Sequence, residues 1–342
     1  NGIQTGNNFL YLKIWSEISV DQIRCKWYPY NKGGPYRKWY GNYEFVVNWM
    51  DNGSSIKNEK NSCIRGEDYY FKEGITWSDI TSGKFSCRIL PKGFLFDASG
   101  PSAFLYDKSI TPICLALLNT NFIDGWTKIL NPTLHFQSGD FKKLTFTDGN
   151  NPSIISSLSQ RLIQIGKFDW DSYETSWDFT TLPLLEVEYR QDTLADTYHT
   201  LRTHWNEMTL QMQQLEEENN RIFIEAYGLE DELTPDVPLK EITLTCNPYY
   251  RYGDNKSNSE LEELLLADTM KELISYAVGC MFGRYSLDKP GLILANQGET
   301  YEDYCRLVPD SSFPADEDNA IPVLDGDWFS DDIVMRFRKF LR

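Results

Sequence analysis

The densest concentration of reactive side chains lies between Arg24 and Tyr40, RCKWYPYNKGGPYRKWY. Five cations (Arg24, Lys26, Lys32, Arg37, Lys38) are interleaved with six aromatic rings (Trp27, Tyr28, Tyr30, Tyr36, Trp39, Tyr40), and no acid interrupts them. Cations neutralise phosphates, and flat rings stack on bases or sugars. Gly33-Gly34-Pro35 turns the chain midway, which places the charges on a loop tip rather than along one element. The same pattern also describes a turn whose rings are core and whose charges are solvated, and composition alone weighs the two equally.

Elsewhere the sequence offers little that resembles a catalytic centre. There is no GxxxxGK[ST], HExxH or GxSxG, and no glycine-rich strand-to-helix turn. Asn247-Pro248-Tyr249-Tyr250 follows the strand-like EITLT. It comes near the Asn-Pro-Pro-Tyr turn by which amino-methylating DNA enzymes hold a flipped base. The third residue is Tyr rather than Pro, and a structural turn is the preferred reading. His199 and His204 are five apart, so on a helix they face different ways; with His135 they are read as structural or surface residues. Seven cysteines without CxxC spacing indicate reduced thiols in a cytoplasmic protein rather than a disulfide framework or zinc site.

The 342 residues suffice for two domains, and the charge is divided between two halves. Residues 1–166 hold 18 basic and 14 acidic side chains, a net of +4, whereas residues 167–342 hold 15 and 36, a net of −21. A mildly basic half that can meet phosphate is joined to an acidic half that avoids it. No apolar run approaches the roughly 20 residues that cross a bilayer, so no membrane partner is expected. The chain opens on Asn and ends within a helical pattern, which reads as an excerpt from something longer.

The elements that must position these groups follow from pattern. FLYLKIW at 9–15 and NYEFVVNW at 42–49 read as strands, and FSCRIL (85–90) with GFLFD (93–97) as a hairpin or two successive strands. TLHF (133–136) and KLTF (143–146) look extended. Thr111-Pro112 opens one helix, and Asn151-Pro152 opens another that Gly166 is expected to stop. From 192 to 227 the pattern is helical, with Met208, Met212, Leu215, Asn219, Ile222 and Ala226 as a seam and Gly228 as its close. Packing within an αα-hairpin is preferred there over a separate coiled-coil dimer. Ser259 with Glu262 forms a capping box for the next long helix, residues 309–327 read as an acidic loop, and Ser330 caps a last helix. The fold class is α+β, a mixed strand and helix region followed by a mainly helical one.

Several long blocks carry a resemblance: KWYPYNKGGPYRKWYGNYEFVVNW, ITSGKFSCRILPKGFLFD, LNPTLHFQSGDFKKL, EEENNRIFIEAYGLEDELTPDVPL and ISYAVGCMFGRYSLDKPGLILANQG. Together, from Gly2-Ile3-Gln4-Thr5-Gly6 to the closing DDIVMRF, the chain resembles the large adenine-specific DNA methyltransferases of the BREX and phage-growth-limitation systems, the PglX family. LNPTLHFQSGDFKKLTF also resembles the segment that closes target-recognition domains in type I specificity subunits, and EENNRIFIEAYGL their connecting helix. The resemblance implies a DNA target-recognition domain at 1–166 and a helical spacer or docking region at 167–342. The family's S-adenosylmethionine loop and its Asn-Pro-Pro-Tyr motif would lie upstream, so no cofactor and no catalytic residue is expected in this chain.

The expected partners are double-stranded DNA, the catalytic half of the same protein and other defence-system proteins. Lys26, Lys32, Tyr36, Arg37, Lys38, Lys57, Lys60 and Arg65 are the candidate DNA contacts, with Lys84 and Arg88 able to serve backbone or base. Two rivals stand beside this reading. In one, the chain is a protein-interaction module and its aromatics are merely core. In the other, it is a self-sufficient methyltransferase using Asn247.

Overall fold

The computed structural model describes residues 2–342 apart from 81–83, 131, 132, 134, 148–150, 326 and 327. The architecture is α+β. The chain divides into two compact units: Asn1–Ile18, Gln22–Trp170 and Trp205–Asp254 form the first, and Ser19–Asp21, Asp171–His204 and Asn255–Arg342 the second. Division by compactness thus differs from division by charge. Residues 205–254 belong with the first unit, although they come from the acidic half.

Two small sheets build the first unit. One has the order β1-β3-β2-β6, from Leu12–Ile14 (β1), Trp27–Asn31 (β2), Phe45–Asn48 (β3) and Leu95–Phe96 (β6). The other has the order β5-β4-β7, from Gly74–Trp77 (β4), Cys87–Leu90 (β5) and Ser102–Ala103 (β7). β2 sits centrally, antiparallel to β3 and parallel to β6. It begins inside the cationic stretch, whose first rings therefore lie on a strand and not on a loop tip. FSCRIL and GFLFD are successive strands, each serving a different sheet. FLYLKIW is not one strand: its first residues form a short helix, α1 (Asn8–Tyr11), before β1. Lys143–Phe146 form no strand, and the TLHF segment includes residue 134, outside the described residues.

The helices of this unit are α2 (Met50–Lys57), α3 (Thr111–Leu118), α4 (Asn121–Leu130), α5 (Ser138–Phe141), α6 (Pro152–Asp171), part of α7 (Leu194–Tyr227) and α8 (Pro248–Tyr252). α6 runs through Gly166 instead of stopping there. A Cβ at Gly166 would stand 3.5 Å from the Tyr40 Cβ, an ordinary contact, so neither termination nor close packing requires a glycine there. Continuing the helix one further turn brings Asp169 and Trp170 into the core. The buried stripe of α7 includes Met208, Met212 and Phe223, but also Glu216, Asn219 and Asn220. It is broader and more polar than the heptad seam predicts. Gly228, at φ +66, follows its last residue as expected.

The second unit contains the start of α7 and three further helices: α9 (Asn258–Met281), α10 (Tyr301–Leu307) and α11 (Ile333–Phe340). The capping box of α9 is Ser257 with Glu260, two residues earlier than the sequence suggests. The cap of α11 is Asp332, whose carboxylate accepts from the Val334 and Met335 amides. Leu261, Leu265, Leu273 and Ala277 face the core along α9, and Tyr276 stacks on Tyr285 at 4.9 Å. Among the described residues, no helix is long and apolar enough to cross a membrane.

Candidate nucleic-acid interface

The cationic stretch is mostly interior. Of residues 31–43, Gly34 and Pro35 alone are exposed. Arg37, at 4% exposure, forms a 2.7 Å ion pair with Asp169, donates from Nε to the Tyr40 carbonyl at 2.9 Å and from Nη1 to Thr245 Oγ1 at 3.0 Å. Its guanidinium lies 4.9 Å from the Trp170 ring centroid. Asp169 also accepts from the amides of Thr245 at 2.7 Å and Cys246 at 3.0 Å. Lys38 pairs with Glu216 in the interior, and Trp39 Nε1 donates to the same carboxylate at 2.8 Å. Burial pushes the Glu216 carboxyl above its usual range, against the downward pull of Lys38. Arg88 is wholly enclosed. Its Nη1 donates to the Arg37 carbonyl at 3.3 Å, while Nε and Nη2 have no hydrogen-bond partner among the described residues. Burial lowers its pKa.

These positions correct the expectation that Arg37, Lys38 and Arg88 face a duplex. A buried charge must be paired or hydrogen-bonded, and an acid-free segment takes its acids from remote chain. Here they come 132 and 178 residues away. A side chain so enclosed offers no surface to a phosphate. Tyr36 is half-buried, and its carbonyl accepts from Tyr250 Oη at 2.6 Å. Lys84 pairs with Glu241 at 2.8 Å.

The other candidates lie at or near the surface. Lys26 is half-buried, 5.8 Å from the Trp27 ring centroid. Lys57 pairs with Glu67 at 2.5 Å on the surface. Lys60 and Arg65 are exposed, with no ion pair among the described residues. Lys32 is partly exposed and held by Asp97 at 2.6 Å.

Lys32 and Arg65 meet in a cleft of about 690 Å³ that is otherwise lined by residues the sequence reading did not single out: Gln4, Asn8, Asn61, Gln137, Asp79, Asp97 and Ser99 among them. Its walls are built by close backbone contact. Gln4 and Cys63 exchange both backbone hydrogen bonds at 2.8 Å, and Ile3 bonds to Phe96 and Ala98 at 2.9 and 3.0 Å. Gly6 holds φ +75, and a Cβ there would come 2.7 Å from the Lys60 carbonyl. The Gly33-Gly34 turn belongs to the same construction. A Cβ on Gly33 would stand 2.7 Å from the Ser99 carbonyl, and Ser78 Oγ donates to the Gly34 carbonyl at 2.7 Å. Phe136 N donates to the Asp79 carbonyl at 2.8 Å, which docks the segment bearing Gln137. The cleft residues are scattered over more than 130 positions without a spacing signal, although Gln4 and Gln137 fall inside the family-like blocks.

Asn247 is a cap, as the structural-turn reading expects. Its Oδ1 accepts from the Tyr249 amide at 3.1 Å, and its Nδ2 donates to the Leu239 and Ile242 carbonyls at 2.7 and 2.8 Å. Both ends of the amide are engaged, and the residue is fully buried.

No family model matches the chain. Two relatives align with it from end to end. The adenine-specific methyltransferase BrxX of Escherichia coli O9:H4 (strain HS) is 35% identical over 353 aligned positions, covering 100% of this chain. The adenine-specific methyltransferase PglX of Lacticaseibacillus casei (strain Zhang) is 36% identical over 363, covering 99%. The chain spans 28% of the length of each relative. The resemblance carried by the sequence blocks is thereby shown: along its whole length the chain matches one segment of the PglX and BrxX adenine-specific methyltransferases.

Proposed function

We propose that this chain is the DNA sequence-recognition portion of an adenine-specific methyltransferase of a bacterial anti-phage system. The observation that carries the reading is the match, along nearly the whole chain, to a segment making up 28% of each of two adenine-specific methyltransferases. Methyl transfer and S-adenosylmethionine binding are assigned to the remainder of such a protein. Within the first unit, the open polar cleft and the exposed Lys60 and Arg65 beside it support a duplex-facing surface. Arg37, Lys38 and Arg88 have no place in it. Backbone contacts set register, and contacts to base edges set sequence. The adenine would be flipped into the catalytic half.

The test is a mobility shift with the full-length enzyme and its cognate duplex at low salt. Lys60→Glu with Arg65→Glu is expected to weaken binding on every sequence and to flatten its salt dependence. Unchanged binding and methylation in that double variant would exclude this surface. A second reading, docking of partner proteins, is favoured by Val323, Trp328 and Phe329 of the second unit, each more than half exposed. A Trp328→Ser variant that binds DNA normally and fails to assemble with its protein partners would support that role for the second unit.

A further inference from the structure

Two parallel strands of the first unit set a lysine and a carboxylate side by side. Asn31 of β2 is in register with Phe96 of β6, and the Asp97 amide donates to the Asn31 carbonyl at 2.8 Å. Lys32 and Asp97 therefore leave the strand ends together, and Lys32 Nζ donates to Asp97 Oδ2 at 2.6 Å. The carboxylate is itself fixed. Tyr30, fully buried, donates its hydroxyl to the same oxygen at 2.7 Å, and Ser99 gives Oδ1 both its hydroxyl and, at 2.8 Å, its amide. The next residue, Gly33, lies so close to Ser99 that a Cβ would come 2.7 Å from the Ser99 carbonyl. The Asp97 side chain is 6% exposed and that of Lys32 27%, and both line the cleft. A long, flexible side chain is thus held in one place, within reach of solvent, by a carboxylate that the interior holds.

Charge and donor count decide what such a lysine contacts. A phosphate contact rests on surplus positive charge, and the charge of Lys32 is offset at 2.6 Å by Asp97. Its capacity to donate is not offset. An ammonium has three N–H groups and no acceptor. Among the described residues Asp97 takes one of the three, which leaves two. In the major groove guanine presents two neighbouring acceptors, N7 and O6, whereas adenine sets a donor beside its acceptor, thymine offers one acceptor and cytosine a donor. Base reading also needs a donor held to a fixed position, which phosphate contact does not. We infer that Lys32 is a specificity-determining residue that donates to N7 and O6 of one guanine of the recognised sequence, with Asp97 as the positioning residue that fixes its ammonium. The inference rests on the proposed DNA-recognition role and goes beyond it by naming a residue that reads a base and the base it reads.

The test uses the full-length enzyme. Binding is titrated on the cognate duplex, on duplexes altered at each single base pair, and on duplexes in which 7-deazaguanine, which lacks the N7 acceptor, replaces each guanine in turn. Lys32→Met keeps the apolar stem and removes the donors. It is expected to lower discrimination for guanine at one position by about 10- to 100-fold, and Lys32→Arg to retain it. The deaza base at that position is expected to weaken binding by the wild-type enzyme and to make no difference to Lys32→Met. Asp97→Asn leaves the lysine both mobile and uncompensated. It is expected to lower the same discrimination while steepening the slope of log affinity against log salt by about 1, two changes that a folding defect does not produce together. If thermal unfolding shows that Asp97→Asn does not fold, Lys32→Met decides alone. Wild-type base preferences in Lys32→Met would overturn the inference and leave the broader function standing. So would a salt slope in that variant shallower by about 1 with guanine preference intact, which is the signature of a phosphate contact. No DNA binding by the wild-type enzyme would overturn both.

Discussion

Two cation-bearing regions of the first unit sit close together in sequence and behave oppositely. Arg37 and Lys38 are interior, each locked to one carboxylate and supported by further hydrogen bonds. Lys32, five residues earlier, and Arg65 reach an open cleft lined with amides. Residue type does not separate the two groups; access to solvent does. The interior cations fix where the β2–β3 connection lies against α6 and α7. The cleft, with its balanced charge, lies open to solvent.

The largest expected effect tests the interior group. Glu216→Ala leaves Lys38 buried and unpaired and is expected to cost about 3–5 kcal/mol of stability in denaturant unfolding. Replacing both partners, Lys38→Met with Glu216→Leu, is expected to recover most of that loss. A mild effect of Glu216→Ala alone would break the contrast between locked and open cations. Next in size is the charge reversal Lys60→Glu with Arg65→Glu. It is expected to reduce the slope of log affinity against log salt by about 2, read by titration across salt concentrations, while thermal stability is nearly unchanged.

A smaller effect is expected at the exposed pair of Lys57 with Glu67. Lys57→Ala should change stability by less than about 1 kcal/mol, because a solvated ion pair is screened. Urea titration of this variant beside Glu216→Ala compares surface and interior directly. The smallest perturbation is chemical. Cys87 adjoins Arg88 in the interior, and burial pushes its thiol up despite the neighbouring guanidinium. Burial likewise pushes Cys114 up to about 11. Cys25 and Cys305 are exposed. Alkylation of the native protein at mildly alkaline pH is expected to modify Cys25 and Cys305 first, with Cys87 and Cys114 reacting only after unfolding. Early labelling of Cys87, followed by mass spectrometry, would mean that the interior cluster opens.

Local pattern was legible where one segment decides its own structure. The helices opened by Thr111-Pro112 and Asn151-Pro152 occur where the sequence places them, because proline in the first turn acts locally, although Thr111 lies inside its helix and Ile110, without a side-chain bond, is the cap. The α9 cap was misplaced by two residues because Ser257 and Ser259 stand equally well before a glutamate. The fate of Arg37 and Lys38 was not legible. Their partners lie in α6 beyond Gly166, where a stop was expected, and on a face of α7 where a glutamate interrupts an apolar stripe. The cleft was invisible for a related reason. Backbone contacts among the chain start, the 60–65 loop and the 97–99 turn assemble it, and none of these has a periodicity to read.

The first unit is closed by a segment, Trp205–Asp254, that returns to it after the chain has left for the second. Chimaeras that exchange the first unit between relatives must therefore transplant two pieces at once. A graft cut after residue 170 would carry Arg37 without Thr245 and Lys38 without Glu216, so the donated sheets would arrive without the clasp that holds them.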